Sequence, residues 1–154
     1  MTLILEQFLP YRLNRLTEAL SHRVSLAYKA EYDLSRAEWR AFALLGQAQA
    51  MTATDISYYS TMHKTKVSRA ILTLEKRRWV RRDVDEKDRR LERISLTQQG
   101  RRAYDKLVPM MQAEEAKLMA RLGAENSEAL QKGLAALEEI YLEPKVPTET
   151  EGAE

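Results

Sequence analysis

The sequence predicts a mainly α-helical chain that carries one two-stranded β hairpin and has long helices at both ends. Three observations predict this. Apolar residues recur at spacings of three and four over most of the 154 residues. The period falls to two only over residues 80–96. Helix-start signals, a hydroxyl three residues before a carboxylate, stand at Ser35 with Glu38 and at Thr52 with Asp55.

The first helix begins near Pro10, a residue favoured in a first turn, and carries Leu9, Leu13, Leu16, Leu20, Val24 and Ala27 on one stripe. The second starts at the Ser35 capping box and runs through Trp39, Phe42 and Leu45 to Gly46, read as its terminator. Thr52 opens a short third helix through Ile56 and Tyr59. After a break at residues 60–62, a fourth places Val67, Ala70, Ile71 and Leu74 on one face, with His63 at its capping position. Beyond Arg78, Val80, Arg82 and Val84 alternate with Arg81 and Asp83; Glu92, Ile94 and Leu96 alternate with Arg93 and Ser95. Thr97 caps a fifth helix with a kink expected at Pro109 and a stop at Gly123. The last helix carries Leu130, Leu134, Leu137 and Tyr141. Residues 143–154, EPKVPTETEGAE, have the composition of a disordered tail. The stripes of the first, fifth and sixth helices exceed what one small core needs, which predicts closure on a second copy of the chain.

Composition removes several classes of function. With no cysteine, a disulfide framework, a thiolate zinc site and a thiol redox switch are excluded. No apolar run approaches the roughly 20 residues that span a bilayer, and MTLILEQF lacks the basic start of a signal peptide, so a cytoplasmic protein without membrane association is expected. Only His22 and His63 are present as imidazoles, and the glycines at 46, 100, 123, 133 and 152 form neither a P-loop nor a dinucleotide fingerprint. No nucleophile elbow occurs. Neither an enzyme nor a cofactor is expected.

Charge is unevenly placed. Residues 1–61 balance at six basic and six acidic, residues 62–102 hold fourteen basic and six acidic for a net of +8, and residues 103–154 hold five basic and eleven acidic for a net of −6. A basic middle third is the footprint of a surface that displaces counterions from phosphates; a membrane-surface helix would also be basic but would need a large apolar face opposite. Within it, DEKDRR at residues 85–90 is charged throughout. A hairpin tip of that kind can serve only to keep the strands solvated and unpaired, or it can be held out toward a partner.

Short helix, turn, second helix and basic hairpin together make the layout of a winged helix-turn-helix. Residues 34–100 resemble the MarR family of transcriptional regulators, notably in KVSRAILTLEKRRWVRR (66–82) and DRRLERISLTQQG (88–100). The matching elements are the valine-serine-arginine of the recognition helix, the leucine-glutamate near its end, the aspartate-any-arginine of the wing tip and the leucine-threonine-any-any-glycine that opens the next helix. The fold implied is mainly α, a winged helix-turn-helix with a two-stranded β wing flanked by N- and C-terminal dimerisation helices. Residues 1–142 would form one protomer, with a DNA-binding lobe over about 34–100 and dimerisation helices over about 5–29 and 101–142.

The resemblance implies a homodimeric repressor on a pseudo-palindromic DNA operator, relieved by a small, aromatic and anionic effector. Its recognition helices would enter major grooves and its wings would reach toward minor grooves. Thr65, Lys66, Ser68 and Arg69 are then DNA-facing, since arginine addresses guanine bidentately and threonine can touch a thymine methyl. Lys64, Lys87 and Arg89 would meet phosphates. Arg90 would enter the minor groove, steadied directly or through its loop by Asp88. Tyr11, Arg15, His22, Tyr28 and Trp39 combine aromatic surface with cationic groups and are the candidate effector residues, although Trp39 also reads as ordinary core. A winged helix used only for protein–protein assembly, or a small-molecule binding protein or enzyme built on the dimer cleft, is the competing reading. The chain departs from the family at Arg78-Trp79, where glycine-leucine is usual. If the left-handed turn is kept, Arg78 bears a cost of about 1 kcal/mol.

Overall fold

The computed structural model describes residues 2–142; the tail expected to be disordered lies outside the described residues. A single 3-10 turn, Leu5–Gln7, leads into α1 (Leu9–Tyr32), followed by α2 (Arg36–Gln47), α3 (Ala53–Ser60), α4 (Lys64–Lys76), β1 (Val80–Val84), β2 (Glu92–Leu96), α5 (Gln98–Leu122) and α6 (Ala124–Tyr141). This is a winged helix-turn-helix flanked by long helices at both ends. Both capping boxes form: Ser35 and Glu38 exchange hydrogen bonds at the start of α2, and Thr52 and Asp55 do so at the start of α3. The strands pair antiparallel with Val80 opposite Leu96, Arg82 opposite Ile94 and Val84 opposite Glu92, the register that alternation implies.

The core lies between α2, α3, α4 and the hairpin, and the first half of α5 closes it. Phe42, Leu45, Ile56, Ile71, Leu74, Ile94 and Leu107 are among its fully buried members. Alternation places Ile94 inward on β2, and Met51 is its second backbone partner beside Arg82, exchanging hydrogen bonds of 2.9 and 2.8 Å with it. That bridge ties the α2–α3 connection to the base of the wing.

Two expectations are adjusted. α1 continues to Tyr32, beyond the expected end near residue 29, and closes on Asp33 in the left-handed region (φ 50). Gly46 does not terminate α2 but lies inside it, and a Cβ there would stand 2.1 Å from the Tyr104 ring of α5. α5 runs as one helix through Pro109 to Leu122 and stops at Gly123, whose φ is 79. Arg78 does keep the left-handed turn, at φ 61.

Candidate nucleic-acid interface

Helix α4 is presented by its neighbours. Thr61, at φ 56, closes α3 and turns the chain, and the His63 ring nitrogen accepts the Thr65 backbone N–H at 3.5 Å to cap α4. Burial of Val67, Ala70, Ile71 and Leu74 fixes the helix by one stripe. Lys64, Thr65, Lys66, Ser68 and Arg69 are left exposed on its outer side. Two of the five are hydroxyls and three are cations, a set able to address both base edges and phosphates.

The wing tip is organised by a residue that sequence reasoning missed. Asp85 accepts the backbone N–H of Lys87 and of Asp88 through Oδ1, each at 2.9 Å, and the Arg93 Nε through Oδ2 at 2.5 Å. The Arg93 contact and the two backbone donors hold its carboxyl at about 2, below its ordinary 3.8, so it stays charged at neutral pH. Asp88 accepts the Arg90 backbone N–H at 3.0 Å. Of the two ways Asp88 was expected to act, it takes the one through the loop and leaves the Arg90 guanidinium uncommitted. The signal for Asp85 was present, an aspartate two and three residues before the amides it caps, with an arginine across the hairpin.

Cations of the basic third divide into two sets. Some are used internally: Arg82 joins Glu75 of α4 at 2.9 Å to Glu92 of β2 at 3.2 Å, and Arg81 pairs with Asp83 at 3.1 Å. By contrast, Lys64, Lys66, Arg69, Lys87, Arg89 and Arg90 are exposed and have no ion-pair partner among the described residues. The Arg82 bridge therefore fixes the wing against α4 while the second set faces solvent from both elements.

Of the candidate effector residues, only Tyr28 and Trp39 are brought together. Tyr28 is buried and stacks on Trp39, with ring centroids 5.3 Å apart. Trp39 also lines a cavity of about 410 Å³ between α2, α3 and α5, with Arg40, Tyr59, Tyr104, Met111 and Glu115. Tyr11 and Arg15 line a separate cavity of about 320 Å³ near the start of α1, where the Arg15 guanidinium lies 5.8 Å from the Tyr11 ring centroid. His22 is exposed on α1 and lines neither. Helical rise alone sets Tyr11 and Tyr28 roughly 25 Å apart along one helix. Arg40, next to Trp39, is the cation of the larger cavity and was not foreseen; it also donates to the Thr61 hydroxyl at 3.4 Å.

Among the described residues no group of histidines and carboxylates could hold a metal ion, and no helix is long and apolar enough to cross a membrane.

The sequence profile of the MarR family matches residues 34–91. The HTH-type transcriptional regulator YwaE of Bacillus subtilis is 29% identical over 121 residues, which is 77% of this chain and 69% of that protein. A MarR-family transcriptional regulator from Silicibacter pomeroyi is similar in structure, with a TM-score of 0.73 and 26% identity over 92% of this chain and 96% of that one. Bordetella bronchiseptica BpsR, whose DNA binding is regulated by 6-hydroxynicotinic acid, has the same fold, with a TM-score of 0.76 and 17% identity over 90% of this chain and 98% of that one.

Proposed function

We propose that this chain is a DNA-binding transcriptional regulator of the MarR type and that it acts as a homodimeric, non-enzymatic repressor on a pseudo-palindromic operator in the cytoplasm. On this reading residues 1–142 form one protomer, with residues 34–100 as the DNA-binding lobe. The observation that carries it is the surface shared by α4 and the wing, where Lys64, Lys66, Arg69, Lys87, Arg89 and Arg90 are exposed without ion-pair partners among the described residues. Unpaired cations gain most by releasing counterions from phosphates. The exposed apolar residues of α1 and α6, among them Leu16, Leu20, Leu130 and Leu134, support the dimer.

An aromatic anion is the proposed effector, bound where Trp39 and Arg40 offer a ring face and a guanidinium in the cavity between the DNA-binding lobe and α5. Binding there would act on DNA affinity only through a difference in affinity between the two states of the lobe.

Three substitutions test the DNA-binding face. Arg69→Ala should cost about 1 to 3 kcal/mol and relax preference at one position in each half-site. Arg90→Ala should weaken binding mainly where the flanks are A·T-rich, because its target is groove width and potential. Lys64→Ala should weaken all duplexes alike and lower the salt slope by about 1. Titration of each folded variant against operator, flank-substituted operator and random duplex over a salt series measures all three. Affinities indistinguishable from the wild type in every case would remove the α4–wing surface as the DNA-binding face.

A further inference from the structure

The root of the recognition helix is fastened to the end of α1. Arg77, the C-cap residue of α4, donates from Nη1 to the Tyr32 carbonyl at 2.7 Å and from Nη2 to the Asp33 carbonyl at 3.2 Å. Carbonyls at a helix C-terminus lack intrahelical partners, and the negative end of the dipole favours a cation, so a guanidinium suits this place twice. The same guanidinium lies 5.4 Å from the Trp79 ring centroid. Trp79 is buried, meets Tyr32 edge-on at 4.9 Å and stacks on Phe42 of α2 at 4.9 Å. The left-handed turn at Arg78 is what brings Arg77 and Trp79, two residues apart, onto one another. The Arg78-Trp79 pair thus has a structural use: a leucine at position 79 would offer neither the ring face to Arg77 nor the edge contact with Tyr32.

Arg77 stands at the opposite end of α4 from Lys64, roughly 19 Å away along the axis, with its donors turned to α1. It is placed to control where α4 points without touching DNA. We propose that Arg77 and Trp79 are positioning residues that lock the angle between the recognition helix and α1, and thereby set which half-site spacing a dimer accepts. This rests on the dimeric DNA-binding reading above. The physical reason is leverage: adding one base pair moves a half-site by about 3.4 Å and rotates it by about 35°, so two recognition helices held rigidly to their dimer helices reject the change. A loosened α4 follows it.

Arg77→Met, which keeps length and removes the donors, tests this on the operator selected by the wild type, on operators with one base pair added to or removed from the spacer, and on a duplex with one half-site. The wild type should lose about tenfold in affinity when the spacer changes. Arg77→Met should bind the single half-site within about twofold of wild type with an unchanged salt slope, lose about tenfold on the full operator, and discriminate between spacers by less than about threefold. Arg77→Lys, which retains charge and one donor, should fall between. If Arg77→Met does not fold, Arg77→Lys and Trp79→Leu are read in the same way, each with weakened spacing preference. Spacing discrimination equal to wild type in the folded variants overturns the proposal, as does a lowered salt slope with lost half-site affinity, which would make Arg77 a phosphate contact. Sedimentation of the wild type separates the two levels. A monomer, or selection of unpaired half-sites, removes the dimeric reading and this inference with it, whereas a dimer on paired half-sites with unchanged variants removes this inference alone.

Discussion

A Cβ placed on Gly100 would stand 2.0 Å from the Trp79 carbonyl oxygen, which is backbone and cannot swing aside. That carbonyl also accepts the Thr97 N–H at 2.9 Å, and the Thr97 hydroxyl donates to the Arg78 carbonyl at 2.7 Å while accepting the Gly100 N–H at 3.0 Å. The start of α5 and the root of the hairpin therefore share one set of hydrogen bonds, and only glycine lets them come this close. Gly100→Ala should destabilise by about 1 to 3 kcal/mol or more, as overpacking against fixed atoms does. Gly133→Ala, in α6 with no atom within 4 Å of the added Cβ, should stabilise by about 0.5 to 1 kcal/mol. Urea midpoints of the two variants check the opposite signs; equal shifts would contradict the close-approach argument. Thr97 as a cap was legible from its neighbours in sequence. The reason position 100 must be glycine was not, because the atom it avoids belongs to a residue 21 positions earlier.

The wing takes its shape from Asp85, and this gives it a definite pH response. The folded carboxyl is lowered from 3.8 to about 2, so its contribution to the tip is complete above the ordinary aspartate value, declines as pH falls below it and is gone near 2. Amide shifts of Lys87 and Asp88 followed by NMR should be flat from pH 8 to 5 and titrate with a midpoint near 2; a midpoint near 4 would show that Asp85 does not hold these amides. Asp85→Asn should leave α4 unchanged and broaden the tip resonances. Capping boxes and the hairpin register were legible because their determinants lie within a few residues of one another. Gly46 was misread for the complementary reason, since a glycine signals a helix end locally while here it makes room for Tyr104 from another helix. The Met51 bridge to Ile94, 43 positions apart, left no local signal.

Surplus apolar surface at the two ends of the chain is the feature on which the proposed dimer rests. α6 buries no residue, and Ile140 and Tyr141 remain 70% and 77% exposed, as does Leu16 at 55% on α1. Basic charge is concentrated between these ends, on α4 and the wing, so the proposed association and DNA-contact surfaces are separate. Arg36 of α2 donates to Glu18 of α1 at 2.9 Å, and Lys106 of α5 pairs with Glu31 of α1, which together with Arg77 join the two parts. The division was legible in the charge pattern and the helical stripes. Which side chains share a cavity was not, because that depends on how α2, α3 and α5 pack: Trp39 and Arg40 line one cavity, while Tyr11 and Arg15 line another at the far end of α1. Selection of bound duplexes from a random DNA pool is the most direct test of a two-headed DNA reader. Two inverted copies of one half-site with centres about one helical turn apart, flanked by A·T-rich pairs where the wings reach, is the expected result. Recovery of unrelated sequences, or of one half-site with no inverted partner, would contradict it.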